Sequence, residues 1–443
     1  MWHYIDCAMS AQGLIDIDEA RRMILDAVTP LARERLRLER CLGRVLGEDV
    51  RAHAPVPPFD NSAMDGYAVR AGDLAPASAA HPVSLRLVGE SRAGGAAVPA
   101  LREGEAIVIS TGAAVPGGAD AVVALEDAAS DDGHVEVRAP VQLHQHIRRA
   151  GEDVRAGQTV LTRGRRLGAA ELGVLGSLGR SEVACTARPR VSVLVTGDEL
   201  LAPDEPGRAG AVHDANSHSV PALARCGGAR VTSLARVADE AAATRRAIAD
   251  ALQGADTVVI CGGVSVGRHD HVRQSLAELG VAQRFWGIAL KPGRPSWFGT
   301  RDRTLVFGLP GNPVSAMVTF TLLVAPALGA MTGEPPAAGA LEAVLDSDYP
   351  KRPGRAHAVR CRVQARADGL YATPTGPQGS HILTSMLGAD ALAIIPSERA
   401  EVCRGERVRL VALAGHTMPV APADSPASGG GSAGAGEIAQ AAR

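Results

Sequence analysis

The sequence predicts a multidomain α/β protein: a central doubly wound α/β domain, a small β domain inserted into a discontinuous mixed N-terminal domain, and a C-terminal β domain. Three observations predict it. Apolar runs at 257–260, 286–290 and 304–307 each lead into a Gly- or Pro-rich loop, and continuous runs of that length are the mark of parallel strands buried on both faces. Residues 55–147 instead hold short alternating runs bounded by Gly, Pro or Asp, the pattern of a small β unit. At 443 residues the chain is too long for one core and fits about three domains.

Taken in order, residues 16–50 begin with Ile17, Ala20, Ile24 and Ala27 or Val28 at helical spacing, with Asp16 as N-cap. Pro55, Pro57 and Pro58 end that pattern. Strand-like runs follow at 83–88, 106–109, 121–125 and 134–137. Residues 148–188, with a helical pattern at 169–178, have no obvious core of their own. They are therefore assigned with 10–54 to one discontinuous domain around the insertion 55–147.

From residue 189 the rhythm is strand, loop, helix: a strand at 191–195, a helix at 219–225 stopped by Gly227 and Gly228, a strand at 230–235, and helices at 240–252 and 269–279. The apolar stretch 314–331 is interrupted by Ser315, Thr319, Thr321 and Pro326, so it reads as a helix buried on the sheet rather than a membrane span. This domain spans 189–333. A boundary at Gly333 to Pro336 opens a last domain, 337–414, whose runs at 340–345, 357–363, 392–395 and 407–413 predict a small barrel or sandwich. Residues 416–443 are Gly, Ser, Ala and Pro with too little apolar content to fold, and read as a disordered tail.

Composition excludes more than it selects. With 46 Lys and Arg against 48 Asp and Glu, and 3% aromatic residues, the chain has neither the basic field nor the stacking platforms of a nucleic-acid binder. The seven cysteines are scattered without a Cys-x-x-Cys pair, and the N-terminus lacks a signal-peptide pattern. A reduced, cytoplasmic protein without a membrane segment is expected.

Ligands of doubly wound sheets sit outside the carboxyl ends of the strands, so the three loops are expected to line one crevice. Gly262, Gly263, Ser265 and Gly267 lie in a strand-to-helix loop whose backbone N–H groups can approach a phosphate, although an ordinary tight turn reads the same way. Lys291 and Arg294 place two cations on a stiff Pro-Gly turn, suited to an anion with several oxygens, against the alternative of a solvated surface pair. Asp198 with Glu199, Asp239 and Asp270 fall at the ends of three different strands, a pattern that suits Mg²⁺ held jointly with substrate phosphates or hydrogen bonds to a nitrogen-rich ring. Asp239 and Asp270 are equally placed to cap helices. No Gly-x-Ser-x-Gly, Walker or His-Glu-x-x-His motif supplies a covalent nucleophile or a zinc site.

Seven ordered segments carry a closer likeness: Pro58-Phe59-Asp60-Asn61-Ser62-Ala63-Met64-Asp65-Gly66-Tyr67, Ser110-Thr111-Gly112, Arg149-Ala150-Gly151-Glu152-Asp153, Thr196-Gly197-Asp198-Glu199-Leu200, Gly262-Gly263-Val264-Ser265-Val266-Gly267, Lys291-Pro292-Gly293-Arg294-Pro295 and Gly308-Leu309-Pro310-Gly311-Asn312-Pro313-Val314-Ser315. They closely resemble the motifs of the bacterial MoeA family of molybdopterin molybdenumtransferases, which includes the E domain of gephyrin. The resemblance runs from about residue 14 to residue 412.

It implies a homodimer of elongated four-domain subunits, with a cleft shared between the inserted domain of one and the last two domains of the other. It also implies insertion of molybdate into adenylylated molybdopterin, with Mg²⁺-dependent hydrolysis releasing AMP and molybdenum cofactor. By the same resemblance Asp65, Thr111, Glu199, Asp239 and Asp270 fall at positions important for activity, with Asp65, Glu199 and Asp270 as metal ligands. Pro310, Asn312 and Pro313 fall beside the pterin, Lys291, Arg294 and Ser315 at molybdate, and Ser380 and Ser385 are further positions from the last domain. Two departures stand out: Arg294 replaces a lysine found in many relatives, and Arg268-His269-Asp270-His271 is more basic than usual, which bears on the metal role of Asp270. The competing readings are a molybdopterin adenylyltransferase, which resembles the central domain alone, and a non-catalytic pterin-binding or scaffold relative. Other proteins of the cofactor pathway are further expected partners.

Overall fold

The computed structural model describes residues 13–264, 271–336 and 341–415. The chain divides into two units, Arg33–Cys185 and Met1–Ala32 with Thr186–Arg443.

In the first unit the inserted region forms a six-stranded sheet from Gly66–Val69, Val83–Ser91, Glu105–Ile109, Ala121–Ala124, Ala128–Asp131 and His134–Val137. Gly66–Val69 lies between Glu105–Ile109 and Ala121–Ala124, buried along its whole length. Gly66 is required there, because a Cβ would stand 1.9 Å from the Val123 carbonyl oxygen. A second core of this unit joins Leu36, Cys41, Leu46 and Val50 to Leu167, Leu175, Val183 and Cys185. The segments that flank the inserted region thus share one core.

Residues up to Ala32 belong to the other unit. The helix Ile17–Asp26 forms as the spacing predicts, with the Asp16 carboxylate accepting from the Asp18 N–H at 2.7 Å. Its apolar face, Ile17, Ala20 and Ile24, belongs to the core of the second unit beside Val191, Leu328 and Met331. The helix is therefore part of the second unit's core. An amphipathic stripe states that a helix is buried but not against what, and burying two isoleucines, each worth about 1.5–3 kcal/mol, is served by whichever core has a matching groove.

The second unit contains a six-stranded mixed sheet. Arg230–Val237, Arg190–Thr196, Thr257–Cys261 and Thr304–Leu309 run parallel in that order, and Trp297–Arg301 and Ala282–Trp286 extend the sheet antiparallel. Three of the parallel strands, Arg190–Thr196, Thr257–Cys261 and Thr304–Leu309, are almost wholly buried, as their apolar runs require, while Arg230–Val237 at the sheet edge is largely exposed. The expected strand at 286–290 is corrected here. Ala282–Trp286 ends at Gly287, whose φ of +84° breaks the extended run, and Leu290–Lys291 pairs instead with Ala356–His357 of the C-terminal sheet. Trp297–Arg301 was hidden because it follows the loop so closely.

Pro313–Thr332 is the one described helix long and apolar enough to span a bilayer, yet 72% of its apolar window is buried inside the protein, as a core helix requires. Phe320–Val324 within it is a π-helical segment placed just before Pro326, whose missing N–H cannot serve the ordinary ladder. The last domain is a closed barrel: Ala356–Arg366, Gly369–Pro374, Leu341–Leu345, Arg407–Ala412 and Ala391–Ile395 pair in sequence, and the last returns to the first.

Candidate active site

The site of the second unit is built where the sheet meets the barrel. Strands Thr257–Cys261 and Thr304–Leu309 pair in register, Cys261 opposite Leu309, so the loops that follow them emerge side by side. The Gly262 N–H donates to the Leu309 carbonyl at 3.0 Å, and the Cα of Gly262 lies 3.7 Å from where a Gly311 Cβ would be. Gly262, at φ +90°, lies against the Thr196 hydroxyl, where an added Cβ would be 2.8 Å away. Ser265, Gly267 and Asp270 lie outside the described residues.

Asn216, at the start of the helix Asn216–Cys226, donates from Nδ2 to the Gly311 carbonyl at 2.8 Å and so fixes the loop Pro310 to Pro313. Asp214 holds that helix start by accepting from the N–H and hydroxyl of Ser217. Pro313 then opens the next helix at its first turn, where a missing N–H costs nothing, and buries Ser315 one turn in.

The Lys291–Arg294 turn is fixed equally tightly. Gly293 has φ +124°, and a Cβ there would sit 2.4 Å from Thr319 Cγ2. The buried Ser296 hydroxyl donates to the Gly293 carbonyl at 2.7 Å. Lys291 and Arg294 are left exposed, and neither forms an ion pair among the described residues. With Pro310, Asn312 and Ser315 they line a cavity of about 600 Å³ whose far wall is Arg355, Gln378, Gly379, Ser380 and His381 of the barrel. Asn312 donates to the Ser380 hydroxyl at 3.3 Å across it. Two of the three loops expected to line one crevice share this cavity; Gly262 and Gly263 of the third abut the Pro310 to Pro313 loop but are not in the lining, and residues 265–267 lie outside the described residues.

Arg360 went unnoticed in the sequence. It is fully buried, donates from Nε to the Ser385 hydroxyl at 3.0 Å and from Nη2 to the carbonyls of Pro377 and Gly379, and leaves Nη1 without a partner. An arginine alternating with Val359, Cys361 and Val363 along a strand reads as a solvent-facing residue; only its place beneath the Ser380 loop reveals it. Ser385 is buried and engaged as the Arg360 partner, so its part is to hold that loop rather than to face the cavity.

The carboxylates fall into two groups. Asp198 and Asp239 are joined reciprocally, each backbone N–H donating to the other's carboxylate, at 3.4 and 3.0 Å. Asp239 does not cap the following helix, whose N-cap is Glu240. Glu199 is exposed beside Gly197, where a Cβ would meet its carboxylate at 2.6 Å. None of these three lines the cavity. Among the described residues no cluster of three metal-ligating side chains forms. The available oxygen donors suit a hard cation that draws its remaining ligands from substrate oxygens. In the first unit, the exposed Asp65 accepts from both the N–H and the hydroxyl of Thr111, and these bonds, the backbone one foremost, hold its carboxyl below its usual range.

Comparison with known proteins follows the same division. Residues 15–179 match the MoeA N-terminal region (domain I and II), 192–330 a probable molybdopterin binding domain, and 342–413 the MoeA C-terminal region (domain IV). The chain is 35% identical to a molybdopterin molybdenumtransferase of Haemophilus influenzae over 90% of its own length and 98% of that protein. It is 33% identical to one of Bacillus subtilis over 90% and 94%. A solved molybdopterin biosynthesis moeA protein of Pyrococcus horikoshii superposes with a TM-score of 0.77 at 30% identity, covering 90% of this chain and 100% of that one.

Proposed function

The chain belongs to the MoeA family of molybdopterin molybdenumtransferases and serves molybdenum cofactor biosynthesis by molybdenum insertion, and on that premise we propose how its residues divide the work. The observation that carries the reading is the cavity in which Lys291, Arg294 and Ser315 face Ser380. Molybdate is a tetrahedral dianion; two cations offset its charge, and hydroxyls donate to its remaining oxygens. Arg294 offers a fork where lysine offers a point charge, so it orients the oxyanion as well as attracting it. Pro310, Asn312 and Pro313 present the fixed edge against which the pterin lies, with Asn216 holding their backbone from behind.

The substrate form is adenylylated molybdopterin, and AMP leaves as molybdenum enters. Mg²⁺ would be held by Glu199 and Asp270 together with phosphate oxygens, where it would supply Lewis-acid polarisation of the phosphoanhydride. Asp65 stays ionised through its two bonds from Thr111 and serves as a fixed negative group toward a cation or a polarised water. Matches to all three regions, not to the central one alone, favour this step over adenylyl transfer. The protein is further proposed to act as a cytoplasmic homodimer.

Release of AMP from adenylylated molybdopterin, with and without molybdate, tests the reading on the wild type, Asp65→Ala and Arg294→Ala. Molybdate-dependent release lost in both variants supports it; release indifferent to molybdate overturns it. Sedimentation velocity decides the dimer independently.

A further inference from the structure

Trp286 bridges two loops that the cavity does not join. It ends the strand Ala282–Trp286 opposite Trp297, and its ring packs, half-buried, against the core that holds Val264 and Val272. The indole Nε1–H donates to the Val264 carbonyl at 2.8 Å. Arg273, in the first turn of the helix His271–Glu278, places its guanidinium carbon 5.2 Å from the centre of the same ring. One side chain thus meets the chain on both sides of residues 265–270.

The glycine turn needs such a tie. Gly262 and Gly263 hold φ of +90° and +64°, and glycine loses more freedom on ordering than any other residue, so two in succession resist being fixed by their own geometry. Val264, next in the chain, is 2% exposed, and its Cγ1 packs where a Cβ on Gly308 would be 2.5 Å away. A backbone carbonyl buried at that depth requires a donor, and the indole supplies it. The indole is itself set by bonds outside the glycine turn. Gly287 donates its N–H to the Ser296 carbonyl at 2.8 Å, and Ile288 donates to the Arg294 carbonyl at 3.0 Å. The frame that holds the Lys291–Arg294 turn therefore also sets the ring.

We propose that Trp286 is a positioning residue whose indole N–H holds the glycine turn in register with the Lys291–Arg294 turn, so that the two loops bind different parts of one substrate at a fixed separation. The bond fixes a loop and takes no part in the chemistry. The proposal rests on the reading that the glycine turn meets a phosphate of the adenylylated substrate.

Steady-state AMP release with adenylylated molybdopterin as the varied substrate, paired with equilibrium dialysis of the full chain against molybdate, tests the proposal. Trp286→Phe keeps an aromatic ring beside Arg273 and removes the donor. KM should rise about three- to tenfold, the scale of one buried bond, with kcat held within about twofold. Molybdate affinity should stay within about twofold, because the cation turn keeps its own bonds. Benzothienylalanine at position 286, which replaces the N–H with sulfur and keeps the ring's volume, should reproduce the rise in KM with a thermal midpoint within about 4 °C of the wild type. Gln283→Met removes the other indole bond of this edge, made by Trp297 Nε1 at 2.9 Å, and should leave KM unchanged. An unchanged KM in the benzothienylalanine variant overturns the positioning role. So does an equal rise in Gln283→Met, or a loss of molybdate affinity as large as the rise in KM, since either means that the edge loosens as a whole. Gly263→Ala, whose Cβ would stand 2.5 Å from Val272 Cγ2, disturbs the turn directly. A KM raised there but not at position 286 removes only the tie, whereas a KM unchanged in both removes the reading of the glycine turn.

Discussion

A single oxygen of Asp65, Oδ1, accepts both bonds that Thr111 offers, from its N–H at 2.7 Å and its hydroxyl at 3.0 Å, which leaves Oδ2 for other work. Removing the hydroxyl alone, in Thr111→Val, keeps the backbone bond, which is the larger cause of the lowered Asp65 pKa. Activity is expected to fall about tenfold, the scale of one bond to a charged group, while Asp65→Asn, which retains shape and loses charge, should cost more than about a hundredfold. Steady-state AMP release on the two variants checks the order. A Thr111→Val loss as large as that of Asp65→Asn would mean the hydroxyl itself acts on substrate.

Arg360 holds the loop that carries Ser380 from below. In Arg360→Lys the forked donor is lost, so the Pro377 and Gly379 carbonyls lose their bonds and the Ser385 hydroxyl loses its donor. Breaking such a buried network costs about 2–4 kcal/mol, and the loop should loosen at the cavity wall. A thermal midpoint lowered by several degrees, with molybdate affinity down at least about tenfold, is the expected pair of results. Normal affinity in a destabilised variant would limit Arg360 to a packing role.

Gly293 offers a sharper test of the cation turn. Gly293→Ala places a Cβ against Thr319 Cγ2 at 2.4 Å and demands a backbone conformation with φ of +124°, so the cost is about 1–3 kcal/mol and the turn must move. Pairing it with Thr319→Ser removes the opposing methyl and relieves the clash but not the backbone strain. Molybdate binding should therefore recover only in part in the double variant, as measured by the same dialysis; full recovery would show that φ is not limiting.

How far these features were legible in the sequence depends on where their cause lies. Gly262, Gly293 and Pro313 announce themselves because their reason is local: a turn, a strained φ, a helix start. The parallel strands were readable for the same reason, since burial on both faces leaves an unbroken apolar run. Arg360 was not, because its burial is decided by a loop about twenty residues away, and strand alternation alone gives the opposite reading. The helix Ile17–Asp26 was legible as a helix and misassigned as a partner, because an apolar stripe names no groove. Leu290 reads as the end of a strand in one sheet and Lys291 as the start of the loop after it, yet the two pair in another sheet, since strand pairing is settled by tertiary contacts that a short run does not encode.

His357 gives the fold a pH dependence of known sign. Its pKa is pushed down to about 4, by burial first and then by Lys291, Lys351 and Arg355, against about 6.5 in the unfolded chain. Between those values the unfolded chain holds the proton that the folded chain refuses, so stability rises with pH across the window and is lost as pH falls from about 6.5 toward 4. The full displacement corresponds to roughly 3 kcal/mol, with something over half of it gone by about pH 5. His357→Gln keeps a hydrogen-bonding partner for Tyr349 and cannot take up a proton. The wild type should therefore lose several degrees of thermal midpoint between pH 7 and pH 5 that the variant keeps. Parallel pH profiles for wild type and variant would place the acid sensitivity elsewhere in the barrel.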